Sequence, residues 1–326
     1  MPITPFSEHA LQEAATCLQK GGLVAFPTET VYGLGAIATD DKAVARIFAA
    51  KNRPQFNPLI SHFADVEEAL AAGEKTEIAN LLASHFWPGP LTLILKRAKH
   101  CPISLLASAG NDSVAVRVPD HTIARQLLAR TGLPVVAPSA NPSGRISPSI
   151  ALHVEEGLGG VCDIILDGGP CPSGLESTVI DCRGNKAVLL RPGPITAEQI
   201  KQQTGLSITA PANSITDGTA PLTSPGQLAS HYAPLAGVRL NATTKHKDEV
   251  FIGFGAVPDG VTADFNLSET GDIQEAAAHL FALLHKADKI ALNSIAFAPI
   301  PMSGLGLAIN DRLSRAAAPR DSGKFL

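Results

Sequence analysis

The chain has 326 residues, 45% of them hydrophobic and 17% charged, and its 26 Lys and Arg against 30 Asp and Glu leave a formal charge of −4. At about 150 residues per domain this length predicts two domains with sizeable cores, and the composition excludes disorder and collagen-like repeats. A slightly acidic chain does not hold a nucleic-acid backbone by bulk charge, so any such contact must be local.

Short apolar runs alternate with helical patterns through the first part of the chain. Leu23–Phe26 reads as a buried strand closed by Pro27. Asp40 or Asp41 then caps a helix in which Val44, Ile47 and Phe48 recur at helical spacing and Lys51 falls in the last turn. Further strands are expected at Leu91–Leu95, Val114–Val118, Pro134–Ala137, Ile164–Asp167, Thr178–Asp181 and Val188–Leu190, with helices at Thr76–Phe86, His121–Ala129 and Pro148–Glu155. Mixed strand and helix order argues for an α/β domain, and the irregular spacing for a twisted mixed sheet with flanking helices.

From residue 206 to 236 the periodicity fades into Pro, Ser, Thr, Asn and Gly, which reads as a linker. The pattern then resumes with a strand at Val250–Phe254, a helix at Gln274–His285, a strand at Ile290–Leu292 and a helix from Gly306. The expected organisation is therefore a larger α/β domain over 1–205, a linker over 206–236 and a smaller α/β domain over 237–326. Ile290–Asn310 is uncharged, but Asn293, Pro299 and Pro301 break it, so no membrane span is expected. Five cysteines without a C-x-x-C pair, and no basic start followed by an apolar run, point to a reducing cytoplasm.

The chain carries no phosphate loop ending in Lys-Ser or Lys-Thr, no H-E-x-x-H and no Gly-x-Ser-x-Gly elbow. Gly33-Leu34-Gly35 reads as a tight turn. In Lys51-Asn52-Arg53-Pro54-Gln55-Phe56-Asn57-Pro58, two cations leave a helix and two prolines fix an extended path, an arm suited to a polyphosphate. The competing reading makes Lys51 a partner of the helix dipole and Arg53 a solvated cation. The cluster running from Pro138 to Ser147 follows an apolar strand and is either the edge of a ligand crevice or a plain turn. Arg117 in an apolar strand needs a ligand or an internal acid, for which Glu29 and Asp167 are candidates.

Phe26-Pro27-Thr28-Glu29-Thr30-Val31-Tyr32-Gly33-Leu34-Gly35, Lys51-x-Arg53 running into Asn57-Pro58-Leu59, Ser139-Ala140-Asn141 and Leu175-Glu176-Ser177-Thr178-Val179 closely resemble the YrdC-like fold of threonylcarbamoyl-AMP synthases. Ser224-Pro225-Gly226 with His231-Tyr232-Ala233-Pro234, and Gly304-Leu305-Gly306 running to Asn310-Asp311-Arg312-Leu313, resemble the linker and the Rossmann-like C-terminal domain of the two-domain form. The resemblance implies synthesis of threonylcarbamoyl-AMP and pyrophosphate from L-threonine, bicarbonate and ATP. It also implies Mg2+ carried with ATP, with no metal ligands from protein side chains. A downstream threonylcarbamoyl transferase complex then modifies the tRNA adenosine beside the anticodon, with a weak tRNA contact by this chain.

By the same resemblance, Arg53, Asn57, Ser113, Ser139, Ser147, Arg191 and His231 hold ATP, and Thr30, His62, Arg117, Ser177 and the backbone at Ala137 hold threonine. Lys51 and Arg53 are the expected catalytic cations, and His231 is expected to cover the nucleotide. Two positions depart from the pattern: Asn52 stands where Gly is expected, and Ser113 where Thr is common. The alternatives are an RNA-binding module of the same fold and a carbamoyl-phosphate-using relative. The latter needs acylphosphatase-like and zinc-finger modules that this chain has no room for.

Overall fold

The computed structural model describes residues 3–209 and 230–319. The larger unit runs β1 (Ile3–Pro5), α1 (Glu8–Gln19), β2 (Val24–Phe26), β3 (Gly33–Ile37), α2 (Asp41–Lys51), β4 (Ile60–His62), α3 (Val66–Ala71), α4 (Glu77–Phe86), β5 (Leu91–Lys96) and β6 (Ser113–Arg117). It continues through α5 (Thr122–Thr131), β7 (Val135–Val136), α6 (Ala151–Leu158), β8 (Ile164–Asp167), β9 (Thr178–Asp181), β10 (Val188–Arg191) and α7 (Ala197–Thr204). The smaller unit comprises β11 (Gly237–Arg239), β12 (Glu249–Gly253), β13 (Phe265–Asn266), α8 (Ile273–Ile290), β14 (Ser294–Phe297) and α9 (Leu305–Ala317).

The larger sheet has the order β1-β8-β2-β3-β7-β4-β6-β5-β9-β10 and is mixed: β4 is parallel to β6, β3 and β7 run antiparallel to both their neighbours, and β5 is antiparallel to β6 but parallel to β9. The second sheet, β11-β14-β12-β13, is wholly parallel. Central strands such as β6 are buried along their whole length, which is why they read as continuous apolar runs instead of alternating ones.

Three expectations need correction. Gly33-Leu34-Gly35 is strand β3, not a turn; a Cβ at Gly35 would lie 2.8 Å from the Phe26 ring, so the glycine serves close packing against β2. Helix α6 begins at Ala151, after Pro148 and an extended Ile150, and not at Pro148. Ile290 ends α8 and the following strand is Ser294–Phe297: Ile290 and Leu292 are exposed, whereas Ile295 and Phe297 are fully buried. The segment 210–229, which holds most of the expected linker including Ser224-Pro225-Gly226, lies outside the described residues.

The two units share an apolar seam. Val31, Ile146 and Leu175 of the larger unit belong to the same core cluster as Leu280, Phe281 and Leu284 of α8 and Ile309 and Leu313 of α9. Gly174 lies so close to α8 that a Cβ there would meet the carbonyl oxygens of Ala277 and Ala278 at 2.5 Å, so the loop leading into β9 rests directly on the second domain.

Candidate active site

Strand register gathers the expected ligand residues at one end of the large sheet. His62 and Arg117 are paired positions at the C-terminal ends of the parallel strands β4 and β6. Phe26 pairs with Gly33, so the loop carrying Thr28, Glu29 and Thr30 turns at the end of β2. Thr178, directly after Ser177, pairs with Leu91, and Arg191 pairs with Val179 beyond a bulge that redirects the end of β10. A cleft with about 510 Å³ of empty space opens there. Strand ends of an α/β sheet are where ligands bind in such folds.

The residues expected to hold threonine, Thr30, His62, Arg117, Ala137 and Ser177, all line this cleft. The Thr28 hydroxyl donates to the Val31 carbonyl at 2.7 Å, so Thr30 is left to donate its own proton to Thr28 Oγ1, also at 2.7 Å. With its proton so engaged, the Thr30 oxygen is left with acceptor capacity only. Burial, and then the Arg117 charge, push the His62 imidazole down to about 3, so it is neutral at physiological pH. Its Nδ1 has no hydrogen-bond partner. Arg117 Nη2 lies 2.6 Å from Glu29 Oε1, an ion-pair distance without hydrogen-bond alignment, and Arg117 Nε is unpartnered. Glu29 is thus the internal acid, and Arg117 still has donors to offer.

Arg53, Ser139, Arg191 and His231, expected to hold ATP, line the same cleft. Lys51 is buried because Val44, Ile47, Phe48 and Lys51 fall on the core-facing stripe of α2. Its Nζ donates to the carbonyls of Ser139, at 2.6 Å, and Asn141. Burial, reinforced by Arg53, holds the Lys51 ammonium well below its ordinary range. Asn52 ends the helix in the left-handed region with φ 49°, a conformation that Gly or Asn serves best, so its departure from the family pattern leaves the backbone path intact. Arg53 then donates from Nε to Asn57 O at 3.2 Å and from Nη2 to Pro58 O at 2.9 Å. Burial and the nearby Arg191 lower its guanidinium to about 10. Buried and paired to carbonyls, neither Lys51 nor Arg53 is a solvated cation.

Arg191 donates to the Ser177 carbonyl at 3.0 Å and to its hydroxyl at 3.1 Å, and that hydroxyl also bonds Thr92 Oγ1 at 2.7 Å. His231 is buried, and its backbone N–H donates to the Arg315 carbonyl of α9 at 3.2 Å. Burial, with Arg53 and Lys51 next, pushes its imidazole well below the ordinary range.

Nine of the expected residues therefore line one cleft. Lys51, Asn57, Ser113 and Ser147 do not line it. Lys51 supports it from behind, and the Ser147 hydroxyl donates to Glu176 Oε1 at 2.5 Å, a residue that does line it. Asn57 is fully buried with both side-chain polar atoms unpartnered. Ser113 is buried at the opposite end of β6 from Arg117, and its hydroxyl makes no described contact with the cleft. Sequence reasoning missed Glu176 and Tyr232 as lining residues. The signal was present for both, since each stands within a quoted motif.

Buried polar atoms normally find partners, so a set of unpaired ones facing a cleft marks the place of a ligand. Here that set includes His62 Nδ1, Arg117 Nε and His231 Nδ1. Among the described residues no group of three or more His, Cys, Asp or Glu side chains is placed to hold a metal ion. No described helix is long and apolar enough to cross a membrane.

Fold and cleft together define a two-domain α/β protein with a cation-lined ligand cleft at the strand ends of its larger sheet. Residues 16–193 match the Sua5/YciO/YrdC family, described as "Telomere recombination", and residues 195–318 match "Threonylcarbamoyl-AMP synthase, C-terminal domain". The chain is 41% identical to the threonylcarbamoyl-AMP synthase of Pyrococcus abyssi, covering 96% of this chain and 95% of that one. It is 39% identical to that of Bacillus subtilis, over 95% and 93%. The crystal structure of P. abyssi Sua5 complexed with L-threonine superposes with a TM-score of 0.87 at 37% identity, covering 97% of this chain and 98% of that one. The chain belongs to the Sua5/YciO/YrdC family, in the two-domain form of the threonylcarbamoyl-AMP synthases.

Proposed function

We propose that this protein is a threonylcarbamoyl-AMP synthase, a nucleotidyltransferase that joins L-threonine, bicarbonate and ATP and releases pyrophosphate. The observation that carries the reading is that one cleft gathers two sets of groups, Thr30 with the neutral His62 and the Arg117 guanidinium, and the cations Arg53 and Arg191. The first matches an amino acid: Arg117 takes the carboxylate, and His62 and Thr30 take the hydroxyl and amine. The second matches a triphosphate.

Bicarbonate takes up a proton and loses water to give CO2, and the threonine amine adds to the CO2 carbon and loses a proton to give a carbamate. A carbamate oxygen then attacks the α-phosphorus, and pyrophosphate leaves with the bridging oxygen. Such phosphoryl chemistry needs positioning and charge neutralisation more than a protein nucleophile. Arg53 and Arg191 neutralise the phosphates, while Lys51 fixes the Ser139–Asn141 loop and supplies charge behind them. Ser139, Ser147, Asn57, Ser113 and His231 complete the nucleotide side in this reading, and Ala137 and Ser177 the threonine side.

The cleft's own carboxylates are engaged with arginines, Glu29 with Arg117 and Glu176 with Arg312, and do not form a magnesium ligand set. In this reading magnesium enters with ATP, on its phosphates. Transfer of the threonylcarbamoyl group to tRNA by a partner complex, and any local tRNA contact, follow from the reaction and not from a surface of this chain. The cytoplasmic assignment rests on the five unpaired cysteines. Mass spectrometry of the product from 13C-bicarbonate, threonine and ATP tests the reading. A threonylcarbamoyl adenylate carrying the label is expected, and unlabelled AMP alone contradicts it.

A further inference from the structure

The largest fully buried side chain among the described residues is a charged one, Arg312, only 1% exposed, and it belongs to the second domain. It occupies the core stripe of α9, with Ile309, Leu313 and Ala316 at helical spacing around it. From there it reaches across the seam: Nε donates to Glu176 Oε2 at 2.8 Å and Nη2 to the Glu176 carbonyl at 3.4 Å, while Nη1 donates to its neighbour Asp311 at 2.7 Å. Its guanidinium also stands 5.4 Å from the centre of the Tyr232 ring. Glu176 and Tyr232 both line the cleft.

A buried ion pair adds little net stability, because desolvating both charges costs about what their attraction returns. An apolar pair would join the domains as well. What the pair does supply is orientation. With Oε2 held by Arg312, Glu176 turns Oε1 to the Ser147 hydroxyl at 2.5 Å. The Glu176 carboxylate also attracts Arg191, on the phosphate side of the cleft. Arg312 satisfies that carboxylate from the far side, and Arg191 bonds Ser177 instead.

We propose that Arg312 is a positioning residue for the nucleotide half of the cleft: by holding Glu176 and the Tyr232 ring it keeps Ser147, Arg191 and His231 arranged for ATP. The inference rests on the synthase reading for the identity of the ligand, and it gives the second domain a direct part in the site of the first. A purely structural joint predicts something different, namely loss of folded protein with unchanged substrate affinities in the fraction that folds.

The test uses the full chain and compares wild type with Arg312→Lys, Arg312→Met and the double variant Arg312→Met/Glu176→Gln. ATP affinity is read by calorimetry, the two KM values by pyrophosphate release, and stability by thermal melting. Losing one charged hydrogen-bonding partner is expected to raise the ATP Kd and KM about tenfold in Arg312→Met, with the threonine KM within about twofold of wild type. Arg312→Lys recovers part of that loss. The double variant, which no longer buries an unpaired carboxylate, regains its melting temperature but not its ATP affinity. Wild-type ATP affinity in the folded variants, or parallel rises in both KM values, overturns the proposal. Where Arg312→Met does not fold, Arg312→Lys and the double variant decide the question alone. Wild-type protein that binds ATP without threonine-dependent turnover would contradict the synthase reading, while the ratios of ATP Kd still judge Arg312.

Discussion

The two domains treat buried polar groups in opposite ways. In the first, His62, Arg117 and His231 at the cleft, and Asn57, His121, Gln126 and Asn141 outside its lining, keep buried nitrogens or oxygens without partners. Among the described residues beyond His231, no buried side-chain nitrogen or oxygen is left so. Glu249 there accepts from Arg239, the His246 amide and Ser294, and Asp264 from Lys245 and the Phe251 amide. Polarity satisfied within the chain builds structure, and polarity left open inside a cleft awaits a ligand. Arg312 stands between the two cases, paired in full yet pointed at the cleft.

The sharpest way to break this contrast is Arg53→Ala. It removes a cation that the proposed reading assigns to the phosphates of ATP, and pyrophosphate release should fall about a hundredfold or more, the usual cost of deleting one preorganised charge-stabilising donor. The melting temperature should fall by no more than a few degrees, because the change also relieves repulsion with Arg191. Unchanged turnover would reject the role. Arg117→Ala should raise the threonine KM about tenfold to a hundredfold, the range of a charged hydrogen bond, with little change in ATP affinity. A change in ATP affinity alone would show that the two halves of the cleft are wrongly divided.

Acid should separate the regions next. His153 of α6 stacks on His285 of α8 across the seam, ring centres 3.8 Å apart. Burial, and then His285, lower His153 from its ordinary 6.5 to about 3. The unfolded chain therefore binds that proton more tightly, so the contribution to stability is full above about pH 6.5 and declines as pH falls towards 3. His153→Phe, which keeps a ring in the stack, should flatten this part of the stability–pH curve in denaturant titrations. Smaller and at lower pH is the Glu249 effect. Hydrogen bonding from Arg239 holds its carboxyl at about 2 against an ordinary 4.5, so its contribution is lost as pH falls through that interval. Glu249→Gln should remove the dependence there and leave the cleft's ATP affinity as it was.

Much of this was legible in the sequence. Asp40 does cap α2, and Ile164–Asp167 and Thr178–Asp181 are strands at the expected bounds. Helix α1 is equally readable from the helical spacing of Leu11, Ala14, Ala15 and Leu18. Gly35 misled because a glycine needed for close strand packing looks, in sequence, like a glycine needed for a turn. The core stripes hold the most information: a cation at a position where the helical period demands an apolar residue marks both Lys51 and Arg312, whereas the reading from helical spacing gives Lys51 only a place in the last turn of its helix and Arg312 no role. The long-range pairings, Arg312 with Glu176 and His153 with His285, join segments over a hundred residues apart, which no local pattern encodes.

The central claim, that the open polar groups of the cleft are an amino-acid site beside a nucleotide site, is tested most directly by pyrophosphate release from ATP and bicarbonate with L-threonine, L-serine, L-valine or no amino acid. A site built to pair a hydroxyl rejects an isostere lacking it far better than one resting on a methyl contact. Release that requires bicarbonate and is much faster with threonine than with valine is the predicted result. Release at the same rate with valine, or without any amino acid, would contradict it.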